Sequence, residues 1–299
     1  MKTLLKTHKR LHGGICWLLA LGWLVVAACG SNQGDMEQAE APPAPQKIIV
    51  FVDGEFLIRE SRQARKFIRK FVWEHKALNS LKFGEQKKGA VLPALEVDIF
   101  PICDLTNQSP ALLSFSCEEK ERSLMRTYRD ASTRIIDTQM RLFNKNIKKY
   151  KNAFLPGYRD GGGPRPRLTK VMESADLLAN LLSGCQAAQE VHILFLSDMI
   201  EWDHSDYSFK KPGIDEVNSS DIHRARHDLA DPASDLFQDM ERRKKLLNRV
   251  MSTHFTRAIE VISPKLIVLN ESGGMGRPEI EAFWHTYFEA LGFKLRFRS

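Results

Sequence analysis

No Ser-His-Asp or Cys-His arrangement stands out along the 299 residues, which removes the usual frames for nucleophilic hydrolysis. The glycine-rich stretch 272–276 lacks the lysine and spacing of a phosphate-gripping P-loop and reads as a turn before a helix. No segment repeats, and the apolar residues of the charged stretch 118–150 keep no sustained heptad, so no coiled coil is expected. The apolar run 15–28 is shorter than the about 20 residues a bilayer-spanning helix needs. An excess of one charge is also largely missing. The chain has 44 basic and 37 acidic residues, a balance of +7. Four of the basic residues (Lys2, Lys6, Lys9 and Arg10) belong to the first segment, and without them 40 stand against 37, or +3. A nucleic-acid partner is therefore not expected.

That first segment has the form of a secretory signal: a basic start, an apolar core over 15–28, and small residues at its end. Val26-Ala27-Ala28-Cys29-Gly30 then resembles the bacterial lipobox, whose cysteine is diacylated and becomes the mature N-terminus. The resemblance implies a signal peptide over 1–28, acyl chains on Cys29, and the membrane as a partner through that lipid. Glycine rather than aspartate at position 30 implies outer-membrane sorting in a bacterium with two membranes, with the body facing the periplasm. An ordinary signal peptide, or an uncleaved anchor with an incidental cysteine, is the competing reading. Residues 29–46 are polar, small and proline-bearing, the composition of a flexible tether. The body, 47–299, is long enough for one domain with insertions.

Of five cysteines, Cys16 lies in the signal and Cys29 at the lipobox, which leaves Cys103, Cys117 and Cys185. Export permits disulfides. Cys103 and Cys117 flank one loop, and a bridge there would stabilise the fold by about 3 kcal/mol. Three unpaired thiols is the alternative.

The body reads as strands alternating with helices. Lys47-Ile48-Ile49-Val50-Phe51-Val52 is a short β-branched run, the pattern of a central strand covered on both faces, and it ends in Asp53. A helix with a basic stripe follows, its apolar positions including Phe56, Leu57, Phe67, Ile68, Phe71 and Val72. The stripe reads either as a solvated face or as a contact for anionic lipid or polymer. A second strand is expected over 95–103 with Pro101 at an irregular end, then a helix over 118–150 and a breaker-rich loop over 155–167. Further elements are a helix from Thr169 to Leu182, a strand over 191–196 ending Ser197-Asp198, and helices near 221–229 and 234–255. A strand over 266–269, a helix from Arg277-Pro278 to Leu291 and a closing strand over 293–297 complete the chain. Alternation of this kind predicts a doubly wound, mostly parallel α/β sheet with helices on both faces.

Strand-Asp-helix, then Thr169 at a helix entrance, then a strand ending Ser-Asp, resembles the von Willebrand factor type A fold. The run Phe283-Trp284-His285-Thr286-Tyr287-Phe288 looks like the last helix of its bacterial members. The family's third strand, an antiparallel edge, is not evident after the second. The resemblance implies a metal-ion-dependent adhesion site built from Asp-x-Ser-x-Ser, a threonine and an aspartate. Asp53, Thr169 and Asp198 match it, but Glu55 and Leu57 stand where the serines belong. Leucine cannot ligate a hard cation such as Mg²⁺, so the expected site is degenerate, with Glu55 the one substitute able to bind. Without metal, Asp53 caps the following helix and Asp198 closes a turn. The resemblance implies a non-catalytic module that binds another protein, with no cofactor required.

Phe51-Val52-Asp53-Gly54-Glu55 also resembles the start of PIN-like nucleases of the NYN type, in which Asp53, Asp198 and Asp203 would hold Mg²⁺ for phosphodiester hydrolysis. Phe56 stands in place of that family's asparagine. A haloacid-dehalogenase phosphatase needs Asp-x-Asp, and Glu55 fails that pattern. His223 and His227, beside Asp228 and Asp231, form a helix-spaced pair for zinc without a third placed ligand.

Overall fold

The computed structural model describes residues 45–77, 91–92, 94–103, 106–117, 120–121, 128–160, 170–185, 189–201, 208–209, 219–250, 258–262 and 276–298. All lie within the compact unit Pro42–Ser299, distinct from Met1–Ala41. Strand β1 (Gln46–Asp53) is followed by α1 (Gly54–Arg59) and α2 (Ser61–Phe67), which widens into a π-helical segment, Ile68–Ala77. Next come β2 (Val91–Leu92), β3 (Leu95–Ile102), a single turn at Thr106–Gln108, β4 (Leu113–Cys117), β5 (Lys120–Glu121) and the long α3 (Tyr128–Asp160). The remainder is α4 (Glu173–Ser183), β6 (Glu190–Leu196), α5 (Ser219–Ala230), α6 (Asp235–Val250), β7 (Ala258–Ile262), α7 (Gly276–Ala290) and β8 (Lys294–Arg298).

Six strands form one sheet in the order β4-β3-β1-β6-β7-β8, and β2 pairs with β5 apart from it. All pairs in the large sheet are parallel except β3 with β4. The chain therefore winds outward from β1 to β4 and returns to β6 on β1's other side. This is a mostly parallel, Rossmann-like α/β sheet, as the alternation predicts. The β-branched run of β1 occupies its centre because both faces are covered: Ile48 through Val52 are all buried. Ile49 and Phe51 join a core with α4 to α7, and Phe51 stacks on Phe195 with ring centres 4.9 Å apart. Ile48, Val50 and Val52 join a second core with α1, α2, the π-helical segment and α3.

Four expectations change. β4 is an antiparallel edge strand, which the sequence reading missed because its alternation, Leu-Ser-Phe-Ser-Cys, is short and half polar. α3 starts later than expected and runs through Pro156 and Gly157, where a loop was expected. Proline costs a helix interior about 3 kcal/mol and glycine about 1 kcal/mol, which the packed turns before them must offset, so breaker residues alone do not fix where a helix ends. The strand between β6 and β8 is Ala258–Ile262; the apolar run 266–269 lies outside the described residues. The bridge between Cys103 and Cys117 does not fit this register. Cys117 pairs with Leu95 at the opposite end of β3 from Cys103. That places the two about 26 Å apart along the strand at ~3.3 Å per residue, against about 6 Å for bridged Cα atoms. Cys103 is buried and is not in a disulfide.

Pro101 lies past Ile99, the last residue of β3 that pairs with β4. Only β1 flanks the strand there, so the missing N–H of proline interrupts no ladder on the β4 side.

Candidate functional site

The switch in strand order falls between β1 and β6, and doubly wound sheets open their ligand crevice at the carboxyl ends of such strands. Asp53 ends β1 there and is 3% exposed. Ser197, fully buried, follows β6 beside it, and its Oγ donates to Asp53 Oδ2 at 3.5 Å. Asp53 thus meets Ser197, and Asp198 is the next residue along the chain.

Each of these carboxylates has a structural employment. Asp53 Oδ1 accepts the Phe56 N–H at 3.3 Å, the bond of an N-cap to the third residue of a helix. Asp198 Oδ1 accepts the Ile200 N–H at 3.0 Å, which closes a local turn. Leu57, in the second serine's place, is fully buried in the core between the sheet and α3. Glu55 lies in α1, but its side chain, Thr169 and Asp203 are outside the described residues. Among the described residues no three His, Cys, Asp or Glu side chains are grouped to hold a metal ion. His223 and His227 lie exposed on α5.

Three participants were not singled out in the sequence. Glu201 is 3% exposed, and its Oε2 accepts the Met172 N–H at 3.1 Å, just before α4. A carboxylate at a helix entrance meets the positive end of the helix dipole. Met199, between the two acids, has a φ of 61°, unusual for a side chain of its size. Its N–H donates to Ser197 Oγ at 3.0 Å and its carbonyl accepts the Trp284 indole N–H at 2.6 Å, so bonds on both sides hold the strained residue in place. Gly54, directly after Asp53, touches β3 and α3 so closely that a Cβ would sit 2.7 Å from the Ile102 carbonyl and 2.5 Å from the Tyr150 hydroxyl. A buried acid beyond a strand end and a glycine after the capping acid are the signals that could have marked Glu201 and Gly54; Met199 has none in its sequence.

After β3, Thr106 Oγ1 bonds both backbone groups of Cys103, donating to its carbonyl at 2.8 Å and accepting its N–H at 3.0 Å. Asn107 N–H then reaches Glu173 Oε2 at 3.4 Å, and Lys170 Nζ lies 3.1 Å from Glu173 Oε1. The carboxyl edge of the sheet is thereby laced from loop to loop by side chains that accept backbone N–H groups.

The opposite edge carries Cys185, a half-buried cysteine that is not in a disulfide. Lys47 Nζ lies 3.1 Å from Glu96 and 3.7 Å from Asp98. Burial lowers the lysine's affinity for its proton, but the Glu96 hydrogen bond and the nearby charges more than restore it. Burial pushes the Cys185 thiol up, against the pull of Lys47, so its reactive thiolate is disfavoured. Neither a scan against protein-family models nor a search of the curated proteins returned a match for the chain.

Proposed function

We propose that this chain is a bacterial envelope lipoprotein, anchored through acyl chains on Cys29, whose α/β body is a von Willebrand factor type A-like module that docks another protein and performs no catalysis. The lipobox-like Val26-Ala27-Ala28-Cys29 supports the anchor. The antiparallel edge strand β4 beside β3 supports the type A-like part, since it supplies the one strand of that arrangement the sequence left out. So does the meeting of Asp53 with the Ser197-Asp198 loop at neighbouring strand ends.

One observation carries the protein-docking reading above all: Asp53 Oδ1 serves as the cap of α1. A carboxylate spent on its own helix fits an inherited metal loop rewritten as framework, with Leu57 turned into core. The module then offers a rigid loop edge for a partner.

The test is in-membrane cross-linking and affinity retrieval of the full chain, run beside phosphodiester hydrolysis assays with Mg²⁺. The expected result is a protein partner whose retrieval survives Asp53→Asn, with no hydrolysis. Hydrolysis of a nucleic acid that disappears in Asp53→Ala would overturn the reading in favour of a PIN-like nuclease. For the anchor, Cys29→Ser should abolish fatty-acid incorporation; a variant that remains acylated rules Cys29 out.

A further inference from the structure

We infer that the helical layer formed by α2, its π-helical extension and α3 is a docking face for an anionic phospholipid surface. The two helices lie antiparallel in one layer: Lys151 Nζ reaches Ser61 Oγ at 3.5 Å at one end, and Arg69 reaches Asp137 at 3.1 Å toward the other. Among the described side chains of α3 the exposed positions are 134, 138, 141, 142, 145, 148, 149, 152 and 153, a single outward stripe at helical spacing. Arg141, Lys145, Lys148 and Lys149 stand on it. Arg62, Lys66 and Lys70 are exposed on the neighbouring helix.

Little offsets this charge. Among the described side chains of these helices the acids are Glu74 and Asp137, and Arg69 bonds both, at 3.4 and 3.1 Å. Lys145, Lys148 and Lys149 have no carboxylate partner among the described residues. The layer on the other side of the sheet is more mixed: Arg242 and Arg243 pair with Asp176, Lys244 with Glu241 and Arg224 with Asp221, while Arg226, Lys245 and Arg249 stand exposed among these acids. The near-neutral total therefore hides a polar distribution of charge, one layer basic and one mixed.

Shape and an apolar residue point to lipid as the anionic occupant. From Arg134 to Asn152 the stripe runs about 27 Å along one helix at ~1.5 Å per residue, an outward face that suits a plane of headgroups. Leu142, 45% exposed, is the one large apolar side chain exposed among the described residues, and it sits in the middle of the stripe. A cluster of bases around one apolar residue suits a surface of anionic headgroups, where each Lys or Arg adds about fivefold in affinity. The inference does not depend on acylation.

Vesicle flotation tests it, using the chain from position 29 with Cys29→Ser, so that neither an acyl chain nor the basic, apolar segment 1–28 contributes. Phosphatidylglycerol mixed into phosphatidylcholine should retain the chain better than phosphatidylcholine alone, and added salt should erase the difference. Lys145→Glu/Lys148→Glu/Lys149→Glu should weaken the anionic preference on the order of a hundredfold. The same charge change on the other layer, Arg226→Glu/Lys245→Glu/Arg249→Glu, should weaken it by less than about threefold, since those positions face away. Circular dichroism checks that each variant folds; if the glutamate triple does not, Lys→Gln at the same three positions replaces it and should also lower the preference. Equal loss from both layers, an anionic preference that survives neutralisation of α3, or retention of an acidic protein with no preference between the vesicles would overturn the inference. None of these outcomes bears on whether Cys29 is acylated, which fatty-acid incorporation reads separately.

Discussion

The Phe56 N–H donates to Oδ1 of Asp53 at 3.3 Å, so the acid that ends the central strand also begins the first helix. Its second oxygen faces the Ser197 hydroxyl at 3.5 Å. Removing the side chain should cost the cap and strand the hydroxyl, and Asp53→Ala is expected to lose about 1–2 kcal/mol in urea denaturation. Asn can keep the cap, so Asp53→Asn should stay within about 0.5 kcal/mol of the parent. Mg²⁺ should move the melting temperature of either protein little. A large shift that Asp198→Ala abolishes would restore a metal to this corner.

Cys103 supplies a second test, because register decides between bridge and thiol. Its Sγ lies 3.1 Å from Ser109 Oγ, and the residue is 2% exposed. It should resist alkylation in the native protein and react after denaturation without reductant. Cys103→Ser should change stability by less than about 1 kcal/mol, whereas losing a bridge over that loop would cost about 3 kcal/mol. Mass spectrometry of unreduced digests should show no peptide joining Cys103 to Cys117.

How much of this was legible in advance follows from where the information lies. Periodicity located β1 and β6, because a buried parallel strand announces itself as a continuous apolar run. It also placed Asp53 and Asp198 correctly at strand ends. The register of β4 was not legible, since pairing with β3 depends on residues distant in sequence, and the disulfide expectation failed with it. The strand Ala258–Ile262 was equally invisible: it is a five-residue run broken by Glu260, too short for periodicity to mark. Within the site, spacing found the acids but not their employment. Whether a carboxylate caps a helix or holds a cation is decided by which N–H groups face it.

Arg243 joins three helices, and the network predicts both a mutational and a pH response. Its Nε lies 3.0 Å from Asp176 on α4, and its Nη1 donates to the hydroxyl of Tyr287 on α7 at 3.2 Å. Asp176→Ala leaves a guanidinium buried with one carboxylate fewer and should cost about 3 kcal/mol or more. Burial pushes the Tyr287 phenol up to about 12, although Arg243 pulls the other way. An acid whose folded value is raised binds its proton more tightly folded than unfolded. Its contribution is therefore complete below the ordinary tyrosine value near 10 and is lost as pH rises toward about 12. Stability should fall across that interval in the parent and fall less steeply in Tyr287→Phe, as read by denaturation at stepped pH. Tyrosinate absorbance should show a late-titrating phenol in the parent that is lost in the variant.

Gly54 tests how tightly the candidate site is bolted to the frame. It has ordinary helical surroundings, so conformational freedom does not explain the glycine; contact does. A Cβ there meets the Tyr150 hydroxyl at 2.5 Å and the Ile102 carbonyl at 2.7 Å. The tyrosine is a side chain and can yield. The carbonyl belongs to β3, whose ladder with β1 fixes it. Gly54→Ala should therefore cost about 1–3 kcal/mol through overpacking, despite alanine's better helix propensity. Tyr150→Phe removes the nearer of the two contacts, so the double variant should be less destabilised than the two single effects summed. It should still fall short of the parent, since the carbonyl contact remains. A double-mutant cycle in urea reads the coupling directly, and strict additivity would mean that α3 does not press on the start of α1 as described.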